Sequence, residues 1–266
     1  MVGRFLFMRR PSFLPRISLH RPGFDILTLL CLVLLAVHVA VVVGGEVVGG
    51  GVKGLVAAGF YETIGLSRPG VLAGKGWQFL TYPFFHGNWP HLLLNWMVIY
   101  IIGGRVLHIL GARAFTRIFL GGALGGGLLH VLLFPGYPLG EGITPPHWPL
   151  VGASGGMMAL LMALVSLSPD SRMWPLMVSG KNLGRGLMFS TLILFLLTPG
   201  LKIPVLEAAG QWLARNGEMG PLFQVSHICH FGGGLVGMLY AHRLLRKSVS
   251  LEDLRRDRKR REGVGA

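Results

Sequence analysis

The sequence predicts an all-α, polytopic membrane protein built as a bundle of six transmembrane helices. Three observations lead there. Of the 266 residues, 52% are hydrophobic and only 14% are charged, against roughly 25% charged in an average soluble domain. Mean hydropathy is +0.58. The chain also divides into six apolar stretches, each close to the roughly 20 residues that a bilayer crossing requires. Such a composition excludes a disordered chain, which needs low hydrophobicity with high charge. The 41 glycines follow no collagen period, and within apolar runs they suit closely packed membrane helices. Cys31 and Cys229 are the two cysteines, both within apolar runs. That excludes a disulfide framework and a cysteine-based metal site.

The first span is expected near Phe24–Val43 and the second near Trp89–Leu110. The third lies near Ala114–Phe134, the fourth near Trp148–Leu167, the fifth near Gly186–Ile203 and the sixth near Leu222–Tyr240. The first run is too long for a signal peptide and is followed by no clear small-x-small cleavage site. Between the first two spans, Gly44–Trp89 is long for a loop and carries its own apolar stretches. It is expected to lie in or on the outer membrane surface.

Charge sets the orientation. Arg4, Arg9, Arg10, Arg16 and Arg21 precede the first span with no acid before Asp25. Arg113 and Arg117 follow the second span, and Arg172, Lys181 and Arg185 follow the fourth. From Arg243 onward the tail holds nine basic and four acidic residues. The opposite loops are poorer, since 135–149 has neither Lys nor Arg. Residues 1–23 are therefore read as a basic cytoplasmic segment, 24–243 as the membrane domain and 244–266 as a basic cytoplasmic tail. The net charge of +14 suits contact with membrane lipids; no nucleic-acid partner is expected. The chain's compactness points to a bacterial inner membrane, while an Arg-rich, acid-poor N-terminus is also the composition of an organelle-targeting segment.

Polar residues inside membrane spans are costly and mark function by default. Spans two, four and six all run inward, and each carries such residues near its outer end. Span two opens with His91 and Asn95, one helical turn apart. Span four carries Gly152-Ala153-Ser154-Gly155-Gly156, with Ser154 about six residues in. Span six carries Ser226-His227-Ile228-Cys229-His230, with His230 about eight in. At the helical rise these groups fall roughly 10 Å below the outer boundary. A serine hydroxyl needs a base in hydrogen-bond reach to act as a nucleophile, and histidine supplies one near neutral pH. The oxyanion of acyl transfer needs aimed donors. Asn95, a His91 ring N–H and the backbone N–H of Ser154 are suitable. No acid lies inside the three spans, so the expected unit is a Ser–His dyad. The bland reading of Ser154 alone is a hydroxyl bonded to its own helix backbone, and Gly233 and Gly237 form a G-x-x-x-G that can mean packing only. His86, His108, His130, His147 and His227 are read as interfacial or packed, with His130 a possible member of a polar network.

These residues resemble the rhomboid intramembrane serine protease family. His86 followed by His91-Leu-Leu-Leu-Asn95 matches its H-x-x-x-N on the second helix. Gly152-Ala153-Ser154-Gly155 matches its G-x-S-G on the fourth. His230-Phe-Gly-Gly233-Gly-Leu-Val-Gly237 matches its H-x-x-G-x-x-x-G on the sixth. Their order on a six-span core adds a fourth likeness, and the match covers about 72–240. The resemblance implies Ser154 as nucleophile, His230 as general base, and His91, Asn95 and the Ser154 N–H as oxyanion hole. His227 has histidine rather than glycine three residues on, so it is the neighbour and not the base. The resemblance implies transmembrane protein substrates cut near the outer boundary, a gate or cap around 199–221, and no metal or organic cofactor.

Three positions depart from the family pattern. Leu107 stands where a glutamate is usual, Gln78 follows Trp77 where an arginine is usual, and Met158 replaces an aromatic that packs on the histidine. They bear on loop packing, on the inner end of the second span and on rate. Leu107 and Met158 also motivate a second reading, a catalytically inactive rhomboid-like protein that binds membrane clients. The histidines within the spans motivate a third, a transporter or proton-coupled channel using His91, His130 and His230 as a relay.

Overall fold

The computed structural model describes residues 23–134, 149–173, 177–215, 223 and 225–246. The basic N-terminal segment before residue 23, His147, Trp148 and most of the C-terminal tail lie outside them.

The described residues are mostly helical, with one two-stranded ribbon and an isolated bridge between Leu66 and Leu150. In chain order the helices are α1 (Ile26–Val48), α2 (Gly51–Ala57), α3 (Phe60–Ile64), α4 (Arg68–Leu72) and α5 (Gln78–Thr81). A 3-10 turn (Tyr82–Phe84) leads to α6 (Trp89–Leu110), α7 (Ala112–Leu133) and α8 (Ser154–Leu167). The ribbon pairs β1 (Arg172–Met173) with β2 (Val178–Ser179) antiparallel. Then follow α9 (Gly180–Leu196), α10 (Pro204–Arg215) and α11 (His227–Leu245).

Three of these, α1, α6 and α7, are long and apolar enough to cross a membrane. The expected spans four, five and six correspond to α8, α9 and α11, with 14, 17 and 19 residues. The fourth is much shorter than expected. Leu150 is held extended by an antiparallel bridge to Leu66, and Gly152 has φ +121°, so the helix begins only at Ser154. At 1.5 Å per residue α8 extends about 21 Å, short of the roughly 30 Å hydrocarbon core. Ser154 is therefore the first residue of its helix rather than the sixth, and His230 is the fourth of α11 rather than the eighth.

Burial follows from patterning. α1 hides Leu27, Leu30, Cys31, Leu34, His38 and Val41, a stripe at helical spacing. Its other face leaves Leu29, Leu32, Val39 and Val43 exposed; α7 does the same with Leu124, Leu128 and Leu132. In a membrane protein these faces contact lipid. α8 is apolar all round, buries ten of its 14 residues, and packs against α6, α7, α9 and α11. It is the axle of the bundle, as an all-apolar helix must be. The α8–α11 crossing is close because Gly233 and Gly237 face the backbone carbonyls of Gly155 and Ala159; a methyl at either would overlap an oxygen. The G-x-x-x-G of α11 thus packs a helix pair.

The 49–88 segment is the folded connection its apolar content predicts. Trp77 Nε1 donates to the Thr63 carbonyl (3.0 Å) and Gln78 Nε2 to the Glu62 carbonyl (2.9 Å). Gln78 Oε1 accepts from the Ser67 N–H (3.2 Å). Gln78 is fully buried, so the amide at this departing position clamps the loop. Leu107 packs at the margin of the main core, and Met158 is buried.

Candidate active site

His91, Asn95 and His230 are delivered by helix starts that the sequence specifies, and Ser154 by one that it does not. Asn88 caps α6, its Oδ1 accepting from the His91 N–H at 2.8 Å, with Pro90 in the first turn. Asn and Pro at these positions are strong start signals. They put His91 and Asn95 on successive turns. Ser226 caps α11, its Oγ accepting from the Cys229 N–H at 3.3 Å, and its carbonyl receives the His230 N–H at 3.1 Å. α8 has no side-chain cap. Its first N–H groups, from Ser154 onward, lack partners within the helix.

The extended approach to Ser154 is gripped by the loop before α6. Leu66 and Leu150 exchange two backbone hydrogen bonds of 2.8 Å, and the Gly152 N–H donates to the Tyr82 carbonyl at 2.9 Å. Tyr82 is itself buried and donates its hydroxyl to the Ala123 carbonyl of α7 at 2.6 Å. Gly152 is required twice over. Its φ is one that side-chain-bearing residues rarely adopt, and a β-carbon there would lie 2.7 Å from the His91 ring.

The helix starts converge. His230 Nε2 lies 2.8 Å from Ser154 Oγ, a contact spanning 76 residues of sequence. Ser154 is 6% exposed and Asn95 is 2% exposed. Asn95 Nδ2 is 3.0 Å from His86 Nε2, and the Ala153 N–H points to that same nitrogen at 3.5 Å. Nε2 is therefore the acceptor, and the His86 proton sits on Nδ1; this tautomer is assigned from the bonds. Burial, helped by the neighbouring His91 and His38, pushes the His86 ring down to about 3, so it stays neutral and able to accept. The His91 ring stands edge-on to His86 with centroids 5.0 Å apart. A β-carbon on Gly152 would meet both the His91 ring and the Asn95 amide; those two groups flank the backbone just ahead of Ser154.

One histidine departs from its sequence reading, and another follows the alternative given for it. His86 is no interfacial or merely packed residue: it is 1% exposed and hydrogen-bonded to Asn95. Its place five residues before His91, across a Pro-initiated helix, was the available signal. His130 of α7 joins a polar network, with Nδ1 at 2.8 Å from Ser226 Oγ. His227 is buried with its ring centroid 6.3 Å from that of His230. His108 is exposed. Within the expected cap segment, α10 forms an amphipathic helix whose Gly210 packs on the Leu197 carbonyl at the end of α9. Residues 216–222 lie outside the described chain.

Chemically, the arrangement sets an imidazole nitrogen on a hydroxyl at the positive end of a helix, beside a carboxamide and a second imidazole. A helix N-terminus favours developing negative charge. A comparison with known families matches a model of the Rhomboid domain to residues 73–247. Among curated proteins, the chain is similar to the RHOMBOID-like protein 12, mitochondrial, of Arabidopsis thaliana. That match is 26% identical over 109 residues, 38% of this chain and 32% of the relative. It is likewise similar to the presenilin-associated rhomboid-like protein, mitochondrial, of Homo sapiens. There the identity is 26% over 169 residues, 62% of this chain and 38% of the relative. The chain thus spans well under half the length of the curated relatives it matches.

Proposed function

The chain belongs to the rhomboid family, and from that premise we propose that it is an intramembrane serine endopeptidase. It cuts a peptide bond in or near the transmembrane segment of another membrane protein, with Ser154 as nucleophile and His230 as general base. The single observation that supports this best is the 2.8 Å hydrogen bond between Ser154 Oγ and His230 Nε2, on two helices far apart in sequence. An imidazole in that position takes the hydroxyl proton as Oγ attacks the scissile carbonyl. The carbonyl oxygen then carries the charge. The backbone N–H of Ser154, the second amide hydrogen of Asn95 and the His91 ring are the donors that receive it. His86 engages the first Asn95 hydrogen and fixes the amide plane. His230 returns the proton to the leaving amine, and a water repeats the sequence to release the acyl chain.

The protein is read as multi-pass, with α8, α9 and α11 completing six spans and both termini on the cytoplasmic side. The bacterial inner membrane expected from the sequence gains no support from the relatives, whose names place those proteins in mitochondria. Substrates reach the site as membrane-embedded helices; lipids surround it. The test is cleavage of a model transmembrane substrate by purified protein. Activity that disappears in Ser154→Ala is expected, and equal cleavage by both proteins would remove the assignment.

A second reading, a client-binding protein without turnover, draws on Leu107 and Met158. It predicts co-purification of membrane clients with no cleaved product. The proton-relay reading would run through His130, whose Nδ1 lies 2.8 Å from Ser226 Oγ; substrate flux that survives Ser154→Ala and fails in His230→Ala would support it.

A further inference from the structure

A cavity of about 720 Å³ opens between α8, α9 and α11. Its walls include Met162 of α8, Leu192 of α9, and Phe231 and Met238 of α11. Its cause is legible in sequence. Gly186 of α9 faces open space, with nothing within 4 Å of where its β-carbon would be. Two residues earlier, on the opposite side of the helix, Gly184 packs hard on Met162 and Val165. The helix is thus pinned at one glycine and leaves a slot beside the next.

The slot is directional. At one end Pro169, at the close of α8, meets Lys181 and Arg185, at the start of α9. The Lys181 N–H donates to the Pro169 carbonyl at 2.8 Å. The other end reaches Leu192 and Phe231. From Lys181 to Leu192 the helix rises about 16 Å, close to half of the roughly 30 Å hydrocarbon core. That is the depth of one leaflet. Lys181 and Arg185 stand four residues apart, on one face of α9, and both are exposed. Among the described residues no Asp or Glu lines the slot; Asp170 lies beside it in the adjoining loop and is exposed.

An apolar slot in a bilayer is poorly filled by water, and an empty one forfeits dispersion contacts. A methylene chain fills it. Two cations at its mouth, with no acid among the described lining residues, select the charge of the attached headgroup. We propose that this slot is a binding site for a phospholipid with a net negative headgroup, its acyl chain between α8, α9 and α11 and its phosphate at Lys181 and Arg185. The basic end is the one that charge asymmetry assigns to the cytoplasmic leaflet. The chain tip reaches Phe231, the residue after His230, so the occupant braces the helix that carries the proposed base. This site is independent of whether the protein cleaves anything.

The test is native mass spectrometry of the detergent-purified full chain, titrated with dioleoyl phosphatidylglycerol or dioleoyl phosphatidylcholine. A saturable one-lipid adduct is expected, tighter for phosphatidylglycerol by roughly 10- to 30-fold, the scale for two basic groups near a membrane surface. Lys181→Gln with Arg185→Gln brings the two lipids to parity. Arg113→Gln with Arg117→Gln removes the same charge elsewhere and leaves the preference intact. Gly186→Leu fills the slot and weakens both lipids. Absence of a preference in the wild type, or equal losses in the two double variants, would overturn the proposal.

Discussion

The hydroxyl of Ser226, which caps the helix bearing His230, lies 2.8 Å from Nδ1 of His130 on α7. Both residues are buried. One oxygen thus ends a helix and ties it to its neighbour. Ser226→Ala removes a cap worth about 1 kcal/mol and leaves a buried imidazole unpaired, at roughly 1–3 kcal/mol. Thermal unfolding in detergent should fall for Ser226→Ala and for His130→Ala. The double variant should lose less than the sum of the singles. Strict additivity would mean the pair is not coupled.

Gly152 is the position where the approach to Ser154 tolerates no side chain. Gly152→Ala meets a positive φ and the His91 ring together. The expected outcome is at least a tenfold loss of turnover, because the ring must move for the methyl to fit. Substrate cleavage rates at equal folded protein check this; an unchanged rate would contradict the placement of His91.

Asn95 and His86 should fail in different degrees. Asn95→Ala removes a proposed oxyanion donor and should lower the rate about 10²-fold. His86→Ala leaves the amide present but unanchored, and a smaller loss is expected. Kinetics on both variants decide it: a larger effect for His86→Ala would make His86, and not Asn95, the group nearer the reaction.

Glu207 couples α10 to the turn before it. Its carboxylate accepts from Gln211 Nε2 (2.9 Å) and from the N–H groups of Gly200 (3.0 Å) and Lys202 (3.1 Å). The Gln211 bond, then the Gly200 amide, hold its carboxyl below the usual range. A depressed folded pKa gives stability that is present above the unfolded value of about 4.3 and is lost as pH falls through the folded one. Amide protection factors at Gly200 and Lys202 should therefore drop on acidification toward pH 3. In Glu207→Gln they should be low at pH 7 and vary little with pH. Equal profiles would show that the carboxylate does not hold the turn.

How much of this was legible in the sequence differs by element. The second span was expected and found at Trp89–Leu110, because Asn88, Pro90 and Gly111 punctuate an apolar run at both ends. The start of α8 was not legible. Hydropathy continues smoothly through Pro149–Ala153, and only the tertiary bridge of Leu66 to Leu150 and the backbone of Gly152 make that stretch extended. α9 runs from Gly180 to Leu196 rather than from 186 to 203; Lys181 and Arg185 hid its first turns from an apolar-run search. The short helices between α1 and α6 are too brief for a periodic signal. At the site, residue types and order pointed to Ser154, His230, His91 and Asn95, since buried polar groups stand out in apolar helices. His86 escaped because its partner, Asn95, is reached only once the chain has folded back.

The most direct measurement is fluorophosphonate labelling of the folded, detergent-purified protein beside Ser154→Ala and His230→Ala. The account predicts a labelled wild type and two unlabelled variants, because the hydroxyl reacts only when His230 receives its proton. Labelling that persists in Ser154→Ala, or a wild type that stays unlabelled while a small probe is shown to enter the site, would contradict it.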